Sequence, residues 1–186
     1  MPDTMASHWN SQGQVDGYLS KFWGLFLIPI VLIVLFPVFM LIPMIDPLKE
    51  NIEKFRKYFD GFIVIVFLFL LYIYFLTILW NIGMRFDMGQ AIAPSIGFLF
   101  YFVGVLVENS KRNWFIGIRT PWTLSSDRVW DKTHRIGGKL FKVAGVIAFI
   151  GTFIKEYTII LIIAPIVLVS IYTVVYSYFE YQKETK

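Results

Sequence analysis

The chain contains no cysteine, which excludes disulfides, thiolate metal sites and cysteine nucleophiles. Charge is scarce too: Asp, Glu, Lys and Arg make up 16% of the 186 residues, against about a quarter of a soluble domain. There are two histidines, His8 and His134. No H-E-x-x-H, G-x-S-x-G or paired-carboxylate arrangement is present, so the familiar hydrolase and metalloprotease chemistries have no anchor. The first 20 residues are polar, with no short apolar stretch before a small-residue cleavage site, so no cleavable signal peptide is expected.

What is abundant is apolar surface: 57% of residues are hydrophobic and 19% aromatic. The few charges cluster between long apolar runs. Lipid forces a backbone to satisfy its own hydrogen bonds, so this pattern reads as an all-α integral membrane protein, a bundle of about five transmembrane helices. The runs cover 22–45, 61–84, 91–107, 140–154 and 157–179. The fourth is uncharged only over 143–154, and it can span if Lys139, Lys142 and Lys155 reach out from its ends. Lys155 and Glu156 join the last two runs in a tight hairpin.

Five spans put the termini on opposite sides. One side receives the polar head 1–21, the 85–90 loop and the 155–156 turn, and holds three of the 17 Lys and Arg: Lys21, Arg85 and Lys155. The other receives 46–60, 108–142 and the tail 180–186, with all the rest. The excess of basic residues marks the second side as cytoplasmic, leaving the N-terminus outside and the C-terminus inside. Topology therefore accounts for the net charge of +4, and no direct nucleic-acid partner is implied. The composition instead fits a cell membrane with an anionic inner leaflet.

Two inner segments read as interfacial helices. In 46–60, Asp46 suits a cap and Pro47 a first helical position. Leu48, Ile52, Phe55 and Phe59 make one apolar stripe to lie on the membrane. Glu50–Lys54 and Glu53–Lys57 are spaced to pair along the helix. In the loop 108–139, Gly117 and Pro121 argue against helix. A helix capped by Ser125 or Ser126 should then run to Ile136 and hinge at Gly137–Gly138. Around it, Arg128, Lys132, Arg135, Lys139 and Lys142 share one line, with Val129, Trp130, Thr133, Ile136, Leu140 and Phe141 opposite. Such segregation predicts that 129–136 lies parallel to the inner surface.

The stretch NWFIGIRTPWTLSSDRVWDKTHRIGGKLF, residues 113–141, resembles the signature of the SdpI-type immunity proteins. Its matching positions are Asn113, Trp114, Gly117, Arg119, Thr120, Pro121, Trp122, Thr123, Trp130, Thr133, His134 and Gly137. DPLKENIEKFRKYF (46–59) and the head HWNSQGQVDGY (8–18) also resemble members that carry an extra N-terminal module. Longer members have one more apolar helix before the head, and its removal from a six-span, N-inside protein would leave the N-terminus outside. The resemblance implies a non-enzymatic protein that protects a cell from a secreted peptide toxin and signals by holding a cytoplasmic regulator at the membrane.

The residues carry plainer readings beside these. Arg119 suits a carboxylate or phosphate clamp or a cation–π contact with Trp114 or Trp122, and equally a lipid-headgroup anchor. His134 follows Trp130 by four residues, so their rings can stack as interfacial packing; pH sensing or partner binding is the sharper alternative. In the head, His8, Trp9, Asn10, Gly13 and Asp16 are the outward candidates, with His8 and Asp16 at most a weak metal pair. Neither a metal nor a cofactor is expected. The prolines at 29, 37 and 43 should kink the first span. A small transporter is the first competing class, but no Asp, Glu, Lys, Arg or His lies inside the first, second, third or fifth span or in the core of the fourth, and Asn81 is the main strongly polar residue; flux in liposomes would discriminate. The second is a lipid-headgroup enzyme built from Arg119, Asp127, Asp131 and His134.

Overall fold

The head folds as a hairpin. The computed structural model describes residues 1–10 and 12–185, and in it β1 (Thr4–Trp9) pairs antiparallel with β2 (Val15–Ser20). Gly13 makes the turn at φ 77°, a conformation that favours glycine. The Asn10 side chain accepts from the Gln12 and Gln14 amides. Hairpins this short are marginal alone, and this one is anchored from a distance. Asn81 pairs with the Ala6 backbone in both directions, accepting at 2.8 Å and donating at 3.0 Å. Met5 and Ala6 are buried, and Trp9 meets Trp80 edge to face. The sequence pattern suggests only a polar head, because the anchoring residues lie more than 70 positions away.

Seven helices follow: α1 (Lys21–Ile45), α2 (Lys49–Glu53), α3 (Arg56–Asn81), α4 (Met88–Asn109), α5 (Pro121–Ser125), α6 (Asp127–Gly151) and α7 (Thr158–Glu184). A 3-10 turn at Lys155–Tyr157 joins the last two. Four of these, α1, α3, α4 and α7 with its preceding turn, are long and apolar enough to cross a membrane. α1 continues through Pro29, Pro37 and Pro43. Large apolar side chains stand exposed along α1, α3, α4, the second half of α6 and α7. Water would not tolerate that much contiguous apolar surface, whereas lipid does.

The middle of the bundle is the contact of α4 with α6. Gly97 and Gly104 on α4 face Gly145 and Gly138 on α6, seven residues apart on each helix. A Cβ at Gly138 would lie 2.7 Å from the Gly104 carbonyl oxygen, and one at Gly97 the same distance from that of Gly145. Small residues let helix backbones approach this closely, the usual device where lipid supplies no hydrophobic drive to association.

This contact corrects two expectations. Gly137–Gly138 is not a hinge: α6 is continuous from Asp127 to Gly151. Hence 129–136 continues the axis of the apolar half of α6 without a break. Its apolar side faces protein: Val129, Trp130, Thr133 and His134 are all fully buried. The connector 46–60 departs in the same way. Asp46 ends α1 as its C-cap, α2 is a five-residue helix, and α3 begins at Arg56. Ile52, Phe55 and Phe59 pack into a core with Ile63, Leu106 and Ile116, so this apolar stripe faces protein. Lys54 donates to Asn51, and Arg56 pairs with Glu53 and Asp60, in place of the expected spacing pairs.

Candidate functional site

The polar loop between α4 and α6 is a built structure. Asn113 organises its start and is fully buried. Its Oδ1 accepts from the Phe115 and Ile116 amides, at 2.9 and 2.6 Å, and its Nδ2 donates to the Lys111 and Ile116 carbonyls. That accounts for every donor and acceptor the side chain usually commits, so Asn113 holds the turn and has nothing left for a ligand. Gly117 follows at φ 119°, and a Cβ there would lie 2.5 Å from His134 Nε2. Thr120 caps α5 reciprocally with Thr123 and bonds Ser177 of α7 at 3.0 Å. Pro121 occupies the start of α5, so proline opens a helix here where the sequence suggested none. Thr123 also donates to the Ile118 carbonyl. Trp122 packs edge to face on Tyr178.

His134 closes the loop onto α6. Its ring stacks on Trp130, with centroids 3.8 Å apart and planes within 12°. The Ile118 N–H donates to Nε2 at 2.9 Å. Nε2 is therefore the acceptor, and Nδ1 carries the proton, directed at the Trp130 carbonyl, also at 2.9 Å. Burial pushes the imidazolium down to about 4, against a smaller upward pull from the Trp130 carbonyl and Asp131. A neutral ring with both nitrogens committed cannot take up a metal or relay protons near neutral pH. Trp130 Nε1 in turn donates to the Ser110 carbonyl, fixing the far end of the loop. Gly137 leaves room for Ile118, whose methyl would meet a Cβ at 2.5 Å. Thr133 is buried with its hydroxyl unpartnered.

Two residues outside the recognised signature complete the loop. Asp46 is 2% exposed, and its carboxylate accepts from Leu48 N at 2.6 Å and from Trp114 N at 2.9 Å. Asn51 donates to the Arg112 carbonyl. The α1–α3 connector thus clamps the loop from below. Its sequence cue, Asp-Pro after an apolar run, resembles an ordinary helix start, so the clamp was hidden.

The exposed face of the loop carries Trp114, Phe115 and Arg119. Arg119 Nη1 donates to the Trp114 carbonyl, so the cation–π alternative gives way to a backbone contact. Trp114 is half exposed. Asp127 pairs with Arg112 and Asp131 with Lys111, while both His134 nitrogens are committed to backbone groups and Arg119 donates to the Trp114 carbonyl. The four residues of the suggested headgroup-enzyme site are therefore not brought together. Among the described residues no group of three or more His, Asp and Glu could hold a metal ion.

At the opposite end the other candidates gather. His8 and Asp16 pair with each other across the hairpin. Trp9 and Asn10 serve the hairpin's packing and turn, and Gly13 abuts Asp87. Asp87 caps α4 and pairs with Lys155 at 2.9 Å. Partial burial raises its carboxyl, but the Lys155 ammonium and the Gln90 N–H outweigh that and hold it below the ordinary value. A cleft of about 320 Å³ opens here, lined among others by Gln12, Asp87, Gln90, Lys155 and Glu156.

A membrane bundle with one built polar loop and a hairpin-capped opposite end is the class defined so far. Residues 109–177 match the SdpI/YfhL protein family, and residues 1–33 match a domain of unknown function, DUF1648. The chain is 28% identical to the Immunity protein SdpI of Bacillus subtilis (strain 168), over 98% of this chain and 86% of that protein. The SdpI-type resemblance read from residues 113–141 is thereby borne out. No solved structure matches.

Proposed function

We propose that the chain is a five-span immunity protein of the cell membrane, with its hairpin head outside and the loop 108–139 and the tail 180–186 in the cytoplasm. It protects the cell against a secreted antimicrobial peptide and presents its inner loop to a cytoplasmic regulator. The observation that carries this reading is the coincidence of the family match with the built loop: the residues that carry the resemblance are those that fold the 110–138 region into one rigid face.

Five crossings are supported by the alternation of contacts. α1, α4, α6 and α7 each have one end at the hairpin, the 82–87 segment or the 152–157 turn, and α3 returns to Asn81 there. Their other ends meet at the Asp46–Trp114, Thr120–Ser177 and Lys132–Glu180 contacts. Exposed Val143, Val146, Phe149 and Ile150 support α6 as the fifth span, beside the four helices that are long and apolar enough by themselves. The excess of Lys and Arg at the second end supports the inward orientation. A peptide arriving from outside would meet the cleft near Asp87 and Lys155, and cannot reach Arg119.

Expression in a sensitive cell, challenged with a panel of secreted antimicrobial peptides, tests the reading. Survival should rise for at least one peptide at verified membrane expression. Unchanged survival across the panel, combined with solute flux in liposomes, would favour the transporter class instead.

A further inference from the structure

The close approach of α4 and α6 leaves a groove on the outside of the bundle. Two adjoining hollows, of about 150 and 430 Å³, share Tyr101 and Val146. The lower one is floored by Gly97 and Gly145 and walled by Phe98 and Phe149. The upper one reaches Lys139 and Lys142. One continuous open groove therefore runs from two lysines down an apolar wall for nearly three helical turns of α6, about 15 Å.

The charges at its mouth are unequal. Lys142 pairs with Glu108 at 2.5 Å and cancels it. Lys139 and Arg135, one turn apart, are exposed and carry no ion pair among the described residues. The mouth therefore has a net positive charge above an uncharged slot. We propose that this groove holds one anionic phospholipid, with its phosphate at Lys139 and Arg135 and an acyl chain against Tyr101, Val146 and Phe149. A lipid matches the arrangement on both counts: a diffuse anion at the headgroup level and a chain below it, between helices where basic pockets take anionic headgroups.

The proposal rests on α6 crossing the bilayer, and the test separates the two. The full chain, in nanodiscs of phosphatidylcholine with a minor fraction of phosphatidylglycerol, is released for native mass spectrometry. Wild type should retain one phosphatidylglycerol in preference to phosphatidylcholine. Lys139→Gln should lower that preference roughly fivefold, the effect of one basic residue near an anionic surface. Val146→Trp, which fills the slot without changing charge, should lower total retention of either lipid. Equal retention of the two lipids by wild type, or no change in both variants, would overturn the site. So would a second copy of the chain filling the groove, seen as a dimer that Val146→Trp dissociates. A spin label at Ile150→Cys, outside the groove, reports on the premise by itself. Oxygen accessibility there supports a crossing α6; water accessibility refutes the crossing, and the site with it.

Discussion

Asp46 and Arg119 show how differently two charged side chains serve one loop. Asp46 is buried and holds two amides, so Asp46→Ala strands both donors inside protein. About 3 kcal/mol of stability should be lost, visible as a lower thermal midpoint in detergent. Asp46→Asn, which keeps one acceptor, should lose less. Arg119 is exposed, so Arg119→Ala should cost under ~0.5 kcal/mol. Its effect should appear instead in co-purification, where less cytoplasmic partner comes down at equal expression. Equal recovery would return Arg119 to a lipid anchor. His134 adds a pH dependence. Its folded value of about 4 lies below the 6.5 of the free side chain, so the unfolded chain binds the proton first as pH falls. The stability it contributes is complete above pH 6.5 and drains towards pH 4, by about 3 kcal/mol in all. Melting between pH 7.5 and 4.5 should show a steeper decline in wild type than in His134→Gln. The stacking of His134 on Trp130 was legible from their spacing of four. The partner that fixes its tautomer was not, because the Ile118 amide reaches it only through the Gly117 turn.

At the level of elements, spacing and meaning came apart at the glycines. A Gly–Gly pair within a helical pattern reads as a break, and the apolar half of the basic helix reads as a membrane-facing stripe. Both readings assign to solvent or lipid a surface that another helix covers. α4 supplies that cover, and its own Gly97 and Gly104 become intelligible only when α6 lies against them. The long apolar runs were legible because lipid imposes length and polarity on each span independently of its neighbours. Packing faces were not, since they depend on the pairing of helices. Substitution should expose the contrast. Gly138→Leu places side-chain atoms where the Gly104 carbonyl and Glu108 backbone already lie within 2.7 Å. The helices must separate, and the purified protein should lose several kcal/mol of stability or fail to assemble. Gly61→Ala in α3 meets nothing within 4 Å and should stabilise by about 0.5–1 kcal/mol, by removing backbone freedom from the unfolded chain. Thermal unfolding of the two variants side by side checks both signs.

On the scale of the whole molecule, two polar ends are joined by helices of 22 to 27 residues, each about 33–40 Å long. One end holds the hairpin, Asp87 and Lys155; the other holds the loop clamped by Asp46 and His134. Between them, α4 meets α6 glycine against glycine. A peptide captured at the first end could influence the second only by shifting how α4, α6 and α7 pack. Protection from outside and signalling inside therefore require the two ends to lie on opposite faces of the membrane. The absence of cysteine makes this directly measurable, since Gln12→Cys and Glu184→Cys each introduce a single thiol. In intact cells a membrane-impermeant maleimide should label position 12, and should reach position 184 only after permeabilisation. Labelling of both positions from one side, or of position 12 only from the cytoplasm, would contradict the account.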